Sequence, residues 1–426
     1  MTKASRIAVA STVGAGAFAL SAAGAAAAAT MVARAPLTPV ASEPPLLTVQ
    51  HADVHCVTLT ASRAAEWPGV FGIRQQGGAV HARIGDIIAK PTPTTVVRRI
   101  LAADTREHLA PGPAARNGLF WAGTPMHAHG MPFQDVTIDS PVGSMPSWLV
   151  PGAAPSAGGP DPARTWAITI HGHGSVRGEG LRVLPLLHAL GLTTLMVSYR
   201  NDAGAAPSPD RLLHLGAQEW EDVDAAIAFA LRHGARCILL IGFSMGGAIA
   251  LRTSFFSEHR DVIDSLILDA PAVDWEVILE HHTRLRRVPQ PLALAARSLM
   301  THPRWSRSVR LLEPILLNEM TTDYAADALR HPTLLIHSRE DEVVPYEPSR
   351  LLAHSRPDLV HLRTWDMASH TREWNLDPAR WESQILTWIQ QRSAGAGFPI
   401  NRVDPSALPI RQPSAPAQPL SSGRRL

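Results

Sequence analysis

Cysteine is scarce: two residues, Cys56 and Cys237, in a chain of 426. No disulfide framework is expected from so few, and they leave the redox compartment undecided. Neither Cys-x-x-Cys nor His-Glu-x-x-His occurs, so the usual ligand spacings of a zinc centre are missing. The pairs His127/His129 and His171/His173 would share one face of a strand, but they lack further ligands, and neither a metal nor a cofactor is expected. Charge of one sign is lacking too. Thirty-nine Lys and Arg balance 37 Asp and Glu for a net charge of +2, and no basic run stands out, which argues against a nucleic-acid partner. Beyond the N-terminus there is no second apolar run long enough to span a bilayer. What remains, 45% hydrophobic and 18% charged residues, suits a globular chain with one large core and a smaller accessory unit.

The N-terminus carries Lys3 and Arg6, then an uncharged stretch from Ile7 to Ala33 closed by Arg34. That stretch is long enough to cross a membrane. Residues 1–34 therefore read as a signal-anchor, with Lys3 and Arg6 on the cytoplasmic side and the rest of the chain extracytoplasmic. Secretion after cleavage at one of the Ala-x-Ala sites between Ala22 and Ala29 is the alternative, and a disordered leader comes third. Residues 35–48 form a Pro-rich linker. Residues 49–134 form an accessory region whose role is not legible. It holds candidate strands at His55–Thr60 and Val70–Arg74 and a candidate helix around Thr94–Ala103, and Trp67 and Trp121 read as packing residues. The tail, residues 394–426, is rich in Pro, Ser and Gly and is expected to be disordered.

Between these lies a segment, residues 135–393, in which apolar strands alternate with amphipathic helices. Asp135–Asp139 and Pro146–Val150 open it as a hairpin. The alternation that follows implies a mostly parallel sheet with helices on both faces. Its most informative run is Ile238–Leu251, a buried strand, a sharp turn and a helix, with Ser244 at the apex. Gly242, Ser244 and Gly246 match Gly-x-Ser-x-Gly, a strained turn that lifts a serine hydroxyl out of the chain. The helix start, beginning with the N–H of Met245, can point at an oxyanion. A serine needs a base and a group to orient it. Asp341 follows the strand Thr333–Ser338 on a loop at its C-terminal end, where functional groups of open α/β sheets sit. His370 follows the strand Val360–Trp365. Glu340 and Asp269 are the spare acids.

With its elbow Gly-Phe-Ser-Met-Gly-Gly, its acid loop Asp341-x-x-Val-Pro345 and its histidine loop Ser369-His370-Thr371, the chain resembles the α/β-hydrolase family over roughly residues 135–393. The resemblance implies a triad of Ser244, Asp341 and His370, supported by Gly242 and Gly246. It also implies a second oxyanion donor after the strand Trp166–Ile170, in His171-Gly172-His173-Gly174. The N–H of His173 is the candidate for that donor, with Gly172 in the turn and the side chain of His171 expected to support the loop. Asn201 and Asp202, after the strand Thr193–Ser198, either border the pocket or cap their own loop. Relatives place a short helical lid where residues 271–330 interrupt the alternation. Trp275, Val277, Ile278, Leu292, Leu294, Leu299 and Met300 there would line an acyl pocket or simply pack downward.

The resemblance implies a serine hydrolase acting on carboxylic esters or thioesters through an acyl-enzyme, with a small-molecule or lipid acyl substrate. Acyl transfer and aminopeptidase chemistry are the alternatives on the same residues, and a non-catalytic binding protein is a third reading. Oligomeric state is not legible.

Overall fold

The computed structural model describes residues 23–39, 46–155 and 161–403. Two sheets organise them. The first is a closed six-stranded antiparallel barrel in the order β1-β2-β5-β4-β3-β6. Its strands are β1 (Leu47–Ala52), β2 (Cys56–Thr60), β3 (Phe71–Gln75), β4 (Val80–Thr92), β5 (Thr95–Ala103) and β6 (Gly112–Asn117). Alternate residues point inward, and Val49, Val57, Leu59, Ile73, Ala82 and Ile84 fill a core of the barrel's own. Arg98 is buried against it. Its guanidinium donates to the carbonyls of Gly85, Ala65, Trp67 and Gly69, and burial pulls its pKa down to about 10.

The candidate helix at Thr94–Ala103 is thus corrected to a strand, β5. Its opening run Thr95-Val96-Val97 is β-branched, with Val96 buried and its neighbours half-buried, and such residues fit a pleated surface better than a helix turn. The linker also ends sooner than the sequence suggests, because β1 already begins at Leu47.

The second sheet has eight strands in the order β14-β13-β12-β11-β9-β10-β8-β7. They are β7 (Gln134–Ser140), β8 (Gly143–Val150), β9 (Thr165–Ile170), β10 (Thr193–Val197), β11 (Cys237–Phe243), β12 (Ile263–Asp269), β13 (Thr333–Ser338) and β14 (Val360–Trp365). The hairpin β7–β8 and its junction with β10 are antiparallel. Every pairing from β10 to β14 is parallel. Both faces are covered, and the strands show it residue by residue. Ile168, Leu240, Leu266 and Leu335 join one core with the helices Trp220–Arg232 and Met245–Phe256. Their neighbours Ala167, Leu239, Ile267 and Leu334 join the opposite core with Leu184–Ala189 and Pro378–Ala396. A parallel sheet buried on both sides needs such continuous apolar runs.

Three appendages are packed more closely than their composition suggests. Residues 23–34 are helical, Ala29 and Ala33 are buried, and Arg34 donates to the carbonyl of Val309 at 3.0 Å. The Ala35–Leu37 turn follows, with Leu37 buried and its carbonyl accepting from Leu213 N–H at 2.8 Å. Alanine side chains are short enough to let this helix lie against the rest of the fold, so part of the stretch 7–33 is occupied by protein contacts. Residues 1–22 lie outside the described residues, and no helix among the described ones is long and apolar enough to cross a membrane. At the other end the last helix runs through Ala396, and Phe398 and Asn401 are buried, the latter donating its N–H to Leu190 O at 2.8 Å. The expected disorder from residue 394 is corrected over 394–403; residues 404–426 lie outside the described residues.

The third appendage is the insertion at 271–330. It folds as helices Trp275–Leu285, Gln290–Thr301 and Thr322–Ala328 with 3-10 turns between them. Trp275, Ile278 and Met300 sink into the core and Leu299 packs against it, whereas Leu294 and Val277 are exposed.

Candidate active site

Ser244 links β11 to the helix Met245–Phe256 at φ 54° and ψ −117°, a conformation a serine adopts only under constraint. The constraint is visible. Ser244 N–H donates to Asp269 O at 2.9 Å, and Ser244 O accepts from Gly247 and Ala272. A Cβ at Gly246 would overlap the carbonyl oxygen of Ile170 in β9, so only glycine lets the helix start this close to the sheet.

The three residues expected to act together are in line. His370 Nε2 faces Ser244 Oγ at 2.7 Å, and its Nδ1 faces Asp341 Oδ2 at 2.7 Å. Asp341 is buried, and its Oδ1 accepts the N–H groups of Val343 and Val344 at 2.8 and 2.9 Å. Burial works against its charge, but His370 and His337 beside it hold the carboxyl well below the usual range. His337 has no role in the sequence reading above. It is fully buried, with Nδ1 at 2.8 Å from Ser349 Oγ and Nε2 at 3.2 Å from Asp341 Oδ2 and 3.1 Å from Val344 O. The signal available was a histidine four residues before the acid, at the end of a buried strand.

The spare acids are otherwise engaged. Glu340 Oε2 accepts from Met367 N–H at 2.7 Å. Asp269 accepts from Trp381 Nε1 at 3.1 Å and lies against Glu373, both carboxyls being buried. Burial raises both pKa values; the charge of Asp269 pushes Glu373 up further, whereas the hydrogen bond with Glu373 works against the rise of Asp269. Asp269 Oδ1 and both Glu373 oxygens have no other donor, so a proton shared between the two acids fits the geometry.

The oxyanion candidates come from two elements, Met245 from the helix after Ser244 and His173 from the loop after β9. Met245 is the first residue of its helix, where the backbone N–H has no partner within the helix. The loop after β9 is braced from below. Gly172 N–H donates to Glu179 Oε2 at 2.9 Å, and Glu179 pairs with buried Arg182. His171 is buried and stacked on Tyr199 with ring centroids 4.3 Å apart. Its Nε2 lies 2.7 Å from Asp202 Oδ2 and its Nδ1 3.0 Å from Gly172 O. Burial opposes its charge, but Asp202 prevails and raises its pKa. Asp202 therefore fixes the loop, and Asn201 is spent on Ser208 and Leu212. Burial lowers the pKa of the His173 ring, beside the carbonyl of Pro36.

The histidine pairs do not make a metal site. His127 and His129 lie on the helix Pro125–His129, where i and i+2 diverge, and His129 Nε2 is engaged with Leu181 O at 2.8 Å. Among the described residues, one grouping has metal-ligand spacing: Asp224, Glu258 and His259. It lies beyond the far end of the helix that starts at Ser244 and takes no part in the site.

Ser244 and His370 open into a cleft of about 670 Å³. Its walls come from both sheets: residues 172–176 and 370–372 on one side, and residues 74–78, 113–115 and Leu119 of the barrel unit on the other. None of the seven apolar residues expected under a lid lines it, so the acyl pocket proposed there is corrected. Trp275, Ile278 and Met300 are buried in the core instead, while Val277 and Leu294 face outward.

A family model described as a domain of unknown function (DUF8805) matches residues 47–128, the barrel and the segment after it. No curated protein matches the chain. Among solved structures, the chain is similar to an esterase from Pyrococcus furiosus, with 19% identity over 63% of this chain and 94% of that one and a TM-score of 0.47. It is also similar to an esterase from Exiguobacterium antarcticum, with 14% identity over 60% of this chain and 100% of that one and a TM-score of 0.40. A third is a putative lipase from Acinetobacter baumannii, with 17% identity over 62% of this chain and 93% of that one and a TM-score of 0.45. At such identities and TM-scores, the functional reading rests on this chain's own residues.

Proposed function

We propose that this chain is a serine hydrolase of the α/β-hydrolase type that cleaves carboxylic esters or thioesters. The observation that carries the reading is the unbroken line from Ser244 through His370 to Asp341, with both contacts at 2.7 Å. His370 Nε2 takes the proton of Ser244 as Oγ attacks the acyl carbonyl. Asp341 holds the imidazole in the required tautomer and stabilises its charged form. The oxyanion rests on the N–H groups of Met245 and His173. His370 then returns the proton to the departing alcohol or thiol, leaving the acyl group on Ser244. A water, deprotonated by His370 in turn, releases the acid and restores the serine.

The N-terminal anchor belongs to this proposal. With residues 23–37 docked on the enzyme, a retained leader would hold the catalytic unit close to the extracytoplasmic face of the membrane. Membrane fractionation together with mass spectrometry of the mature N-terminus tests it.

Hydrolysis of 4-nitrophenyl esters from acetyl to palmitoyl, by the intact chain and by Ser244→Ala, tests the chemistry. Turnover abolished by the substitution is expected. Turnover unchanged by it, or none on any ester or thioester, removes the hydrolase reading.

A further inference from the structure

We infer that the barrel is part of the active site: it forms the wall against which the substrate's alcohol portion rests, and that portion is compact and polyhydroxylated rather than a long alkyl chain. The inference rests on the hydrolase reading above and deepens it by naming a substrate class.

The barrel is fastened to the very segment that carries the base. Val70 N–H donates to Asn375 O at 2.8 Å, and Asn375 Nδ2 donates back to Val70 O at 2.8 Å. Gly118 lies so close to the guanidinium of Arg372 that a Cβ there would overlap it. Phe120 packs on Trp374 with ring centroids 5.3 Å apart. On the acid loop, Arg63 pairs with Glu342 at 2.8 Å. With the barrel held in this way, its wall keeps a set position opposite Ser244.

The cleft's volume, about 670 Å³, lies within the usual range for small-molecule sites, about 300–1,000 Å³. The chemistry of its lining narrows the occupant. An alkyl chain gains about 0.8 kcal/mol per buried CH₂ only where apolar surface receives it, and here the open-chain aliphatic side chains larger than alanine are Leu119 and Val176. Val176 is itself half exposed. The remainder is glycine, alanine, one proline (Pro113), one carboxylate (Glu179), hydroxyl, amide, imidazole and guanidinium. The turn Gln76–Gly78 has φ values of 51°, 66° and 102°. Nothing lies within 4 Å of where a Cβ would stand on Gly77 or Gly78, so their peptide groups are uncovered. Ser175 Oγ, also in the lining, is buried without a hydrogen-bond partner. A buried hydroxyl without a partner is costly, and rotation of the Ser175 side chain to another staggered rotamer would turn it to the cleft, where a substrate hydroxyl would satisfy it.

The test compares two substrates that share an acetyl group and differ in the alcohol, glucose pentaacetate and decyl acetate. The intact chain is expected to show a kcat/KM at least tenfold higher on the acetylated sugar. Ala115→Trp, which fills the barrel wall, should lower that ratio at least tenfold. Ser175→Ala, a deletion of one oxygen that leaves the fold alone, should lower it at least threefold. Val54→Trp, on the exposed β1–β2 turn away from the cleft, should leave the ratio as it is. A preference for decyl acetate, or a ratio unmoved by both cleft variants, overturns the inference while serine-dependent turnover of 4-nitrophenyl acetate keeps the hydrolase reading standing. Loss of that turnover would instead remove the reading beneath it.

Discussion

Glu382 offers a quantitative test of the packing behind the histidine loop. It lies on the last helix, 4% exposed, and its Oε1 accepts Trp374 Nε1–H at 3.1 Å. Trp374 in turn packs on Phe120 beside the barrel, so this carboxyl braces the junction between the two sheets. Burial raises its pKa from 4.5 to about 7, against the smaller lowering effect of the Trp374 hydrogen bond. A raised pKa means that the folded state holds a proton the unfolded state releases. The group's contribution is therefore fully favourable below pH 4.5 and is lost as pH rises through 7. The full loss is about 3 kcal/mol, from a shift of roughly 2.5 units at 1.36 kcal/mol each. Glu382→Gln keeps the acceptor for Trp374 and cannot ionise. It should match the parent within about 1 kcal/mol at pH 4.5 and exceed it by about 3 kcal/mol at pH 8.5. Urea unfolding followed by tryptophan fluorescence at both pH values measures the difference. A gap that does not change with pH would refute the assignment of a buried, protonated carboxyl.

Glu373→Gln replaces the shared proton of the Asp269–Glu373 pair with a permanent N–H donor. Since both pKa values are raised, the native pair weakens as pH rises, with Glu179, Arg182 and Asp341 the charged groups around it. Thermal melts should show the parent losing stability toward alkaline pH and the Gln variant losing distinctly less; parallel curves would count against proton sharing. Gly246→Ala drives a Cβ into the Ile170 and His171 carbonyls, which the central strand cannot move aside. The elbow must shift, so kcat should fall about 100-fold with circular dichroism unchanged, and full activity would mean that the close approach is not required.

Much of the site was legible because its parts are local. Gly242, Ser244 and Gly246 lie within five residues, and the turn they make follows from sterics that short sequence already contains. Asp341 and His370 were recognisable because each follows a short apolar strand at its C-terminal end. Distances between the three were not legible, since they depend on β11, β12, β13 and β14 lying side by side. His337 shows what is lost: a histidine inside an apolar strand looks like core until the neighbouring loop folds back over it. The pair Asp269 and Glu373 was hidden for the same reason, 104 positions apart in the chain and in contact only through the sheet.

By itself the sequence determined the alternation of strands and helices, the strained serine turn, and the order of acid and base, because each is encoded in a window of a few residues through periodicity, glycine sterics and turn chemistry. The tertiary structure alone decided what faces the serine. The insertion after β12 has the composition of a lid, yet Trp275, Ile278 and Met300 are buried in the core and none of its expected lid residues lines the cleft. The barrel has no sequence mark of an active-site wall, yet hydrogen bonds between Val70 and Asn375 set it opposite Ser244. Such placement is a property of packing between distant surfaces, where the free energy depends on the shapes that meet and not on either segment alone.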